Sequence, residues 1–163
     1  MIIDEVKRQE PTAAFSLVEL NNLTFRGCQG CRECKQETAT GCVVRDELTT
    51  VLDQLSGADV WLIGTPIYMG QMSGQCKLFL DRLYGFTGPN RTTRLPAGKR
   101  AIVCSTQGAL DKSQHTGAVD LMQRMLSRRG FVAVESLVTS GVLQPDSPEL
   151  QAEVKALVAH MLA

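Results

Sequence analysis

The sequence predicts an α/β fold, an open, doubly wound parallel sheet covered by helices on both faces in three layers. Three observations carry this. Short β-branched apolar runs alternate along the chain with segments of helical period, the pattern of strands buried on both faces and joined by crossover helices. The 163 residues match one domain, long enough to bury roughly 70% of the unfolded surface without cross-links. Neither an internal repeat nor a long linker divides them, so residues 1–163 are expected to form a single domain. The composition, 44% hydrophobic and 21% charged, is that of an ordinary globular protein, and no apolar run approaches the roughly 18 residues of a membrane span. Lys+Arg and Asp+Glu both number 17. With no net charge and no long run of one sign, neither a nucleic acid nor a membrane is expected as a partner.

The elements follow in order. The start carries acids at Asp4 and Glu5, unlike the basic, apolar order of a secretory leader, so a cytoplasmic location with reduced thiols is expected. Ala13–Leu20 reads as a weak strand. Asp46 caps a helix whose apolar residues Leu48, Val51, Leu52 and Leu55 recur at i, i+3, i+4 and i+7, with Gly57 closing it. Ala58–Gly64 is a strand. Ser73 caps a second helix with Cys76, Phe79, Leu80 and Leu83 on its stripe, and Asp81 and Arg82 fall outside that stripe. Thr87–Gly98, rich in Gly, Pro and Thr, is a surface loop. Arg100–Ser105 is a strand, Val119, Met122, Met125 and Leu126 mark a third helix ending at Gly130, and Val132–Thr139 is the last strand. Ser147 and Pro148 open a final helix with Leu150, Val154, Leu157, Val158 and Met161 as its stripe. Ligands of such sheets sit at the carboxyl ends of strands near a switch in strand order. Function is therefore expected in the loops Asn21–Arg45, Thr65–Met72 and Ser105–Thr116.

The first of these loops holds Cys28, Cys31, Cys34 and Cys42, a C-x2-C-x2-C-x7-C pattern with Gly27, Gly30 and Gly41 for tight turns. In a chain with reduced thiols such a pattern points to ligands or redox groups before disulfides. An iron–sulfur cube suits the spacing, since each iron takes one cysteine. Zinc is the weaker metal reading, because structural zinc sites more often use two separated C-x2-C pairs, and four unmetallated thiols lining a pocket is the third. Cys76 and Cys104 read as core residues. The second loop, Thr65-Pro66-Ile67-Tyr68-Met69-Gly70, follows a buried strand. Pro66 stiffens it, Gly70 lets backbone approach a ligand, and Tyr68 with Met69 offers a flat, polarizable surface for a planar ring. The third supplies Ser105, Thr106, Gln107 and Gly108, small hydrogen-bonding residues after the neighbouring strand. His115 and His160 have no spacing that assigns a role, and both read as solvated. No G-x-S-x-G, H-E-x-x-H, Walker loop or G-x-G-x-x-G occurs. Hydrolase, metalloprotease, nucleotide kinase and dinucleotide-fold readings fall away, and redox chemistry survives.

Taken together, Gly27–Lys35, Gly41–Asp46, Ala58–Gly70 and Lys77-Leu-Phe-Leu-Asp-Arg82 resemble the NADPH-dependent FMN reductase family of flavodoxin-like proteins, closest to its iron-sulfur flavoprotein branch. The resemblance runs in order from about residue 13 to the end. It implies a flavodoxin-like sheet with FMN at the strand ends, Thr65 to Gly70 contacting the isoalloxazine and Ser105 to Gly108 bordering its far side. It further implies NAD(P)H as electron donor, a small-molecule redox acceptor, a homodimer or homotetramer, and a [4Fe–4S] cluster on Cys28, Cys31, Cys34 and Cys42. Such chemistry belongs to the cofactors, so no residue is named as catalytic.

One departure qualifies the resemblance. Family members open with a strand and a Ser/Thr/Arg-rich loop that holds the FMN phosphate, whereas this sequence opens within the following helix, at Ile2, Ile3 and Val6. A sheet lacking the usual first strand is expected, with a weaker hold on the phosphate. A start placed downstream, a neighbouring chain supplying the pairing, or direct closure of Phe15–Leu20 onto Val60–Gly64 would each accommodate this. Two other functions follow if the flavin reading fails. One is an electron carrier that does not itself turn over NAD(P)H, the other a metal-binding or oligomer-forming domain that has lost FMN.

Overall fold

In the computed structural model, which describes residues 1–141 and 146–163, the sheet is built around Val60–Tyr68 (β1). Trp61, Ile63, Thr65 and Ile67 alternate into the core while Leu62 on the opposite face stays exposed. β1 turns back through a short antiparallel strand, Gln71–Met72 (β2), and pairs in parallel with Arg100–Gln107 (β3). β3 pairs in parallel with Ala133–Ser140 (β4), giving the order β2-β1-β3-β4.

Helices cover both faces, as the apolar stripes require. Glu47–Gly57 (α2), Gly74–Arg82 (α3) and Thr116–Ser127 (α4) set Leu48, Leu52, Phe79, Leu80, Val119, Met122 and Leu126 against Trp61, Ile63, Ala101 and Val103 in the larger core. Each such side chain contributes about 1.5–3 kcal/mol by leaving water. Trp61 anchors this layer: its ring meets Phe131 edge-on at 4.8 Å, and its Nε1 donates to the Leu55 carbonyl at 2.8 Å. On the other face Pro148–Leu162 (α5) packs Leu150, Val154 and Val158 on Leu137, with Ile2 and Val6 of Ile2–Gln9 (α1) beside them. The expected caps form. Ser73 Oγ accepts from Cys76 N at 3.2 Å and Ser147 Oγ from Leu150 N at 3.3 Å, contacts worth about 1 kcal/mol each.

Three readings of the sequence are corrected. Ala13–Glu19 is not a strand: it carries no regular structure and leads into a 3-10 turn at Leu20–Asn22. Apolar content suits a residue to a strand but does not make one, because extended backbone needs a neighbour to take its N–H and C=O groups. Nor do Phe15–Leu20 close onto β1, which among the described residues pairs only with β3 and, at Ile67 and Tyr68, with β2. The strand expected to stop at Gly64 also runs on to Tyr68. Pro66 is accommodated because β1 is an edge strand along this stretch.

Candidate functional site

Two of the three expected loops come together at the carboxyl ends of β1 and β3. Thr65 pairs with Ser105 and Pro66 with Thr106, so the segments singled out in sequence lie side by side. Beyond Pro66 the chain reverses at Met69 (φ 51°) and Gly70 (φ 77°), with Tyr68 opposite Gln71 and Ile67 opposite Met72. Two successive left-handed residues make the hairpin turn that suits the twist of paired strands. Met69 is wholly exposed at the tip and Tyr68 largely so. Thr65 is buried beneath them: its Oγ1 accepts from Ser73 N at 3.0 Å and donates to the Pro66 carbonyl at 3.1 Å. Because Ser73 also caps α3, the hairpin and the helix are fastened at one point.

The end of β3 stays paired with β4 as far as Gln107 opposite Ser140. Gln107 is buried and donates through Nε2 to the Asp111 carbonyl at 2.9 Å, folding the following loop back. Asp111 accepts from the Ser113 N–H and Oγ, both at 2.8 Å, and these bonds hold its carboxyl below the usual range. Ser105 Oγ and Gln107 Oε1 are buried with no partner among the described residues, and buried polar atoms normally have one. His115, expected to be solvated, is half-buried at the start of α4. Its Nδ1 lies 3.5 Å from the place a Cβ on Gly70 would occupy. Nothing in the spacing of His115 signals this, since the contact spans two loops that meet only in the fold. His160 is exposed as expected, 3.3 Å from Glu135 Oε1.

The cysteine loop lies apart, against α3 and the 3-10 turn Leu83–Phe86. Cys34 is buried in its own turn, Glu33–Lys35, with Sγ 4.0 Å from the Tyr84 carbonyl. Cys42 is half-buried, Cys28 and Cys31 are exposed, and left-handed backbone at Gly30 and Arg32 turns the chain between the cysteines. As folded here, the four thiols are not gathered into a group able to hold a metal ion among the described residues. Cys76 is buried as expected. Cys104, only half-buried beside the smaller core, has its thiol pushed up to about 12 by desolvation. Arg82, which lies off the stripe of α3, is buried all the same, because carbonyl and carboxylate groups from the cysteine loop and the start of α2 surround it.

The chain matches the family model NADPH-dependent FMN reductase over residues 1–139. It is 32% identical over 82 residues to an iron-sulfur flavoprotein of Archaeoglobus fulgidus, covering 50% of this chain and 38% of that protein. It is 30% identical over 112 residues to an FMN-dependent NADH:quinone oxidoreductase of Pseudomonas aeruginosa, covering 63% and 54%. The chain thus spans between a third and about half of these curated relatives. Among solved structures, an apo NADH:FMN oxidoreductase superposes with a TM-score of 0.67 at 20% identity, over 98% of this chain and 76% of that one. An FMN-dependent NADH-azoreductase from Bacillus anthracis, in complex with FMN, does so with 0.68 at 13% identity, over 99% and 88%. The fold is therefore the flavodoxin-like α/β arrangement expected from the sequence, and the match over residues 1–139 shows that the chain belongs to the NADPH-dependent FMN reductase family.

Proposed function

We propose that the chain is an FMN-dependent oxidoreductase that takes electrons from NAD(P)H and passes them to a small-molecule acceptor such as a quinone or free flavin. The observation that carries this reading is the juxtaposition of Thr65–Gly70 and Ser105–Gly108 at the strand ends, where Thr65 pairs with Ser105 and Pro66 with Thr106. The residues present fit the ring of FMN. Tyr68 and Met69 offer an open, flat surface, and Ser105 Oγ and Gln107 Oε1 are two polar atoms still lacking partners. Bound there, FMN would supply the hydride acceptance and electron release that no side chain of this protein can provide. The protein's own part is to orient the ring with the Thr65–Gly70 backbone, to border it with Ser105–Gly108, and to exclude water from one side. No side chain is assigned a proton to carry.

The family's iron-sulfur branch motivates a second element, a cluster on Cys28, Cys31, Cys34 and Cys42. The thiols do not fit such a group as folded here, so no electron step is routed through it. A homodimer or homotetramer is proposed as the assembly and the cytoplasm as the location. Among the described residues no helix is long and apolar enough to cross a membrane.

Anaerobic titration with FMN, followed by NADPH or NADH, tests the reading. Quenching of flavin fluorescence on binding, bleaching by either nucleotide and recovery on adding a quinone are expected. Riboflavin should bind about as tightly as FMN if the ring alone provides the affinity. Flavin that binds but is reduced only by dithionite would make the protein an electron carrier. Failure to take up any flavin would overturn the reading.

A further inference from the structure

Arg82 is 1% exposed, and a guanidinium so deeply buried is sustainable only if it is both paired and hydrogen-bonded. Its partners define its task. Nη1 donates to the Arg26 carbonyl at 2.8 Å and to Asp46 Oδ2 at 2.7 Å, and Nη2 donates to the Val44 carbonyl at 2.9 Å. The same Asp46 oxygen accepts from the Arg26 N–H at 3.1 Å. One planar group and its counter-ion thus hold residue 26, just before Cys28, against residue 44, just after Cys42.

Other contacts hold the loop between those stems. Arg94 Nη1 donates to the Cys34 carbonyl at 2.8 Å and to the Thr87 carbonyl at 3.1 Å, and Lys35 Nζ donates to the Tyr84 carbonyl at 2.7 Å. With the stems closed, Cys34 Sγ meets Tyr84, and Cys42 lies so close to Gly85 that a Cβ there would fall 3.0 Å from its backbone nitrogen. Cys34 and Cys42 therefore converge on one turn, Tyr84–Gly85, which follows Arg82 directly on the chain. Among the described residues Arg82 is the cation that bonds to both stems, and its planar guanidinium fixes the direction of each bond, whereas a lysine in its place is a shorter-reaching point charge with no such fixed fork.

We infer that Arg82 is the positioning residue of the cysteine loop, a clamp on its two stems that brings Cys34 and Cys42 to the Tyr84–Gly85 turn. Its use in redox chemistry rests on the proposed reading of this loop as a second redox element, whereas the clamp itself does not.

The test is pulsed labelling of the reduced, iron-free full chain with iodoacetamide, each cysteine being followed by mass spectrometry. In the unmodified chain Cys28 and Cys31 react first, Cys34 and Cys42 lag, and Cys76 and Cys104 stay protected. In Arg82→Lys the rates of Cys34 and Cys42 rise about tenfold through local opening of the loop, while Cys76 and Cys104 keep theirs. Unchanged rates at Cys34 and Cys42 would overturn the inference. A parallel rise at all the protected cysteines would overturn it too, by making Arg82 a general stabiliser. If the lysine variant does not fold, Arg82→Gln combined with Asp46→Asn removes both buried charges together, and the same selective rise is expected. Failure of that variant to fold as well would make Arg82 a determinant of the whole fold and end the local role. Reconstitution of the unmodified chain with iron and sulfide tests the redox reading separately. No uptake would remove the cluster and leave the labelling result standing, whereas uptake with a visible spectrum altered by Arg82→Lys would join the two.

Discussion

A methyl group added at Gly85 would sit 3.0 Å from the backbone nitrogen of Cys42 and 3.1 Å from its Cβ. Neither atom belongs to a flexible side-chain end, so the strain cannot be relieved by a rotamer change. Gly85→Ala is expected to cost about 1–3 kcal/mol, as overpacking does, and to displace the Cys42 end of the loop. Urea denaturation would give the cost, and unchanged stability would mean that the loop yields freely. The same scale shows why some residues were legible in sequence and others were not. Asp46, Ser73 and Ser147 are recognisable because a cap and the helix it serves are neighbours on the chain. Arg82 and His115 are not, because what buries them comes from segments remote in sequence: Arg26 and Val44 for the first, Gly70 for the second.

Among the elements, the β1–β2 hairpin carries the clearest conflict between local preference and position. Its turn needs two left-handed residues, yet the first is Met69, an L-residue for which that backbone costs roughly 1–2 kcal/mol. The side chain recovers nothing by packing, since it is wholly exposed. Strain kept at an exposed tip points to use. Met69→Gly is expected to raise stability by about 0.5–1 kcal/mol, the gain from the relieved backbone being partly offset by glycine's larger entropy in the unfolded chain. It should also weaken FMN binding severalfold if Met69 lies against the ring. A gain in the urea midpoint with FMN affinity unchanged would remove Met69 from the site. The helices were readable from their stripes because each packs on the sheet face its own periodicity selects. Ala13–Leu20 was misleading because a strand is a property of two segments, and the composition of one of them cannot supply the other.

At the scale of the whole molecule, net charge is zero, so self-repulsion adds little near neutral pH and particular buried groups decide how stability falls away. On the acid side the group is Asp46. Burial pushes its carboxyl up, but hydrogen bonds from Arg82 and the Arg26 N–H, with the charge of Arg82, outweigh burial and hold it below its ordinary value of 3.8. A carboxyl depressed in the folded state stabilises fully above its unfolded pKa, and that contribution is lost as pH falls through the lower folded value. Stability should therefore hold down to about pH 5 and then fall, and Asp46→Asn should flatten that limb. Asp4, Glu5 and Asp111 are also depressed, but all three are solvent-screened and contribute little. On the alkaline side desolvation raises two thiols, Cys76 and Cys104, and the larger shift is that of Cys104, pushed from 9.0 up to about 12. Between those values the unfolded chain has lost this proton and the folded chain has kept it, so stability declines as pH rises through that window. Cys104→Ala should abolish that component of the decline while leaving the acid limb untouched. Urea midpoints measured from pH 3 to pH 11 on the three proteins check both arms. If Asp46→Asn kept the full acid limb, the clamp at Arg82 would not be what low pH breaks, and the loop's stems would have to be held by the carbonyl bonds alone.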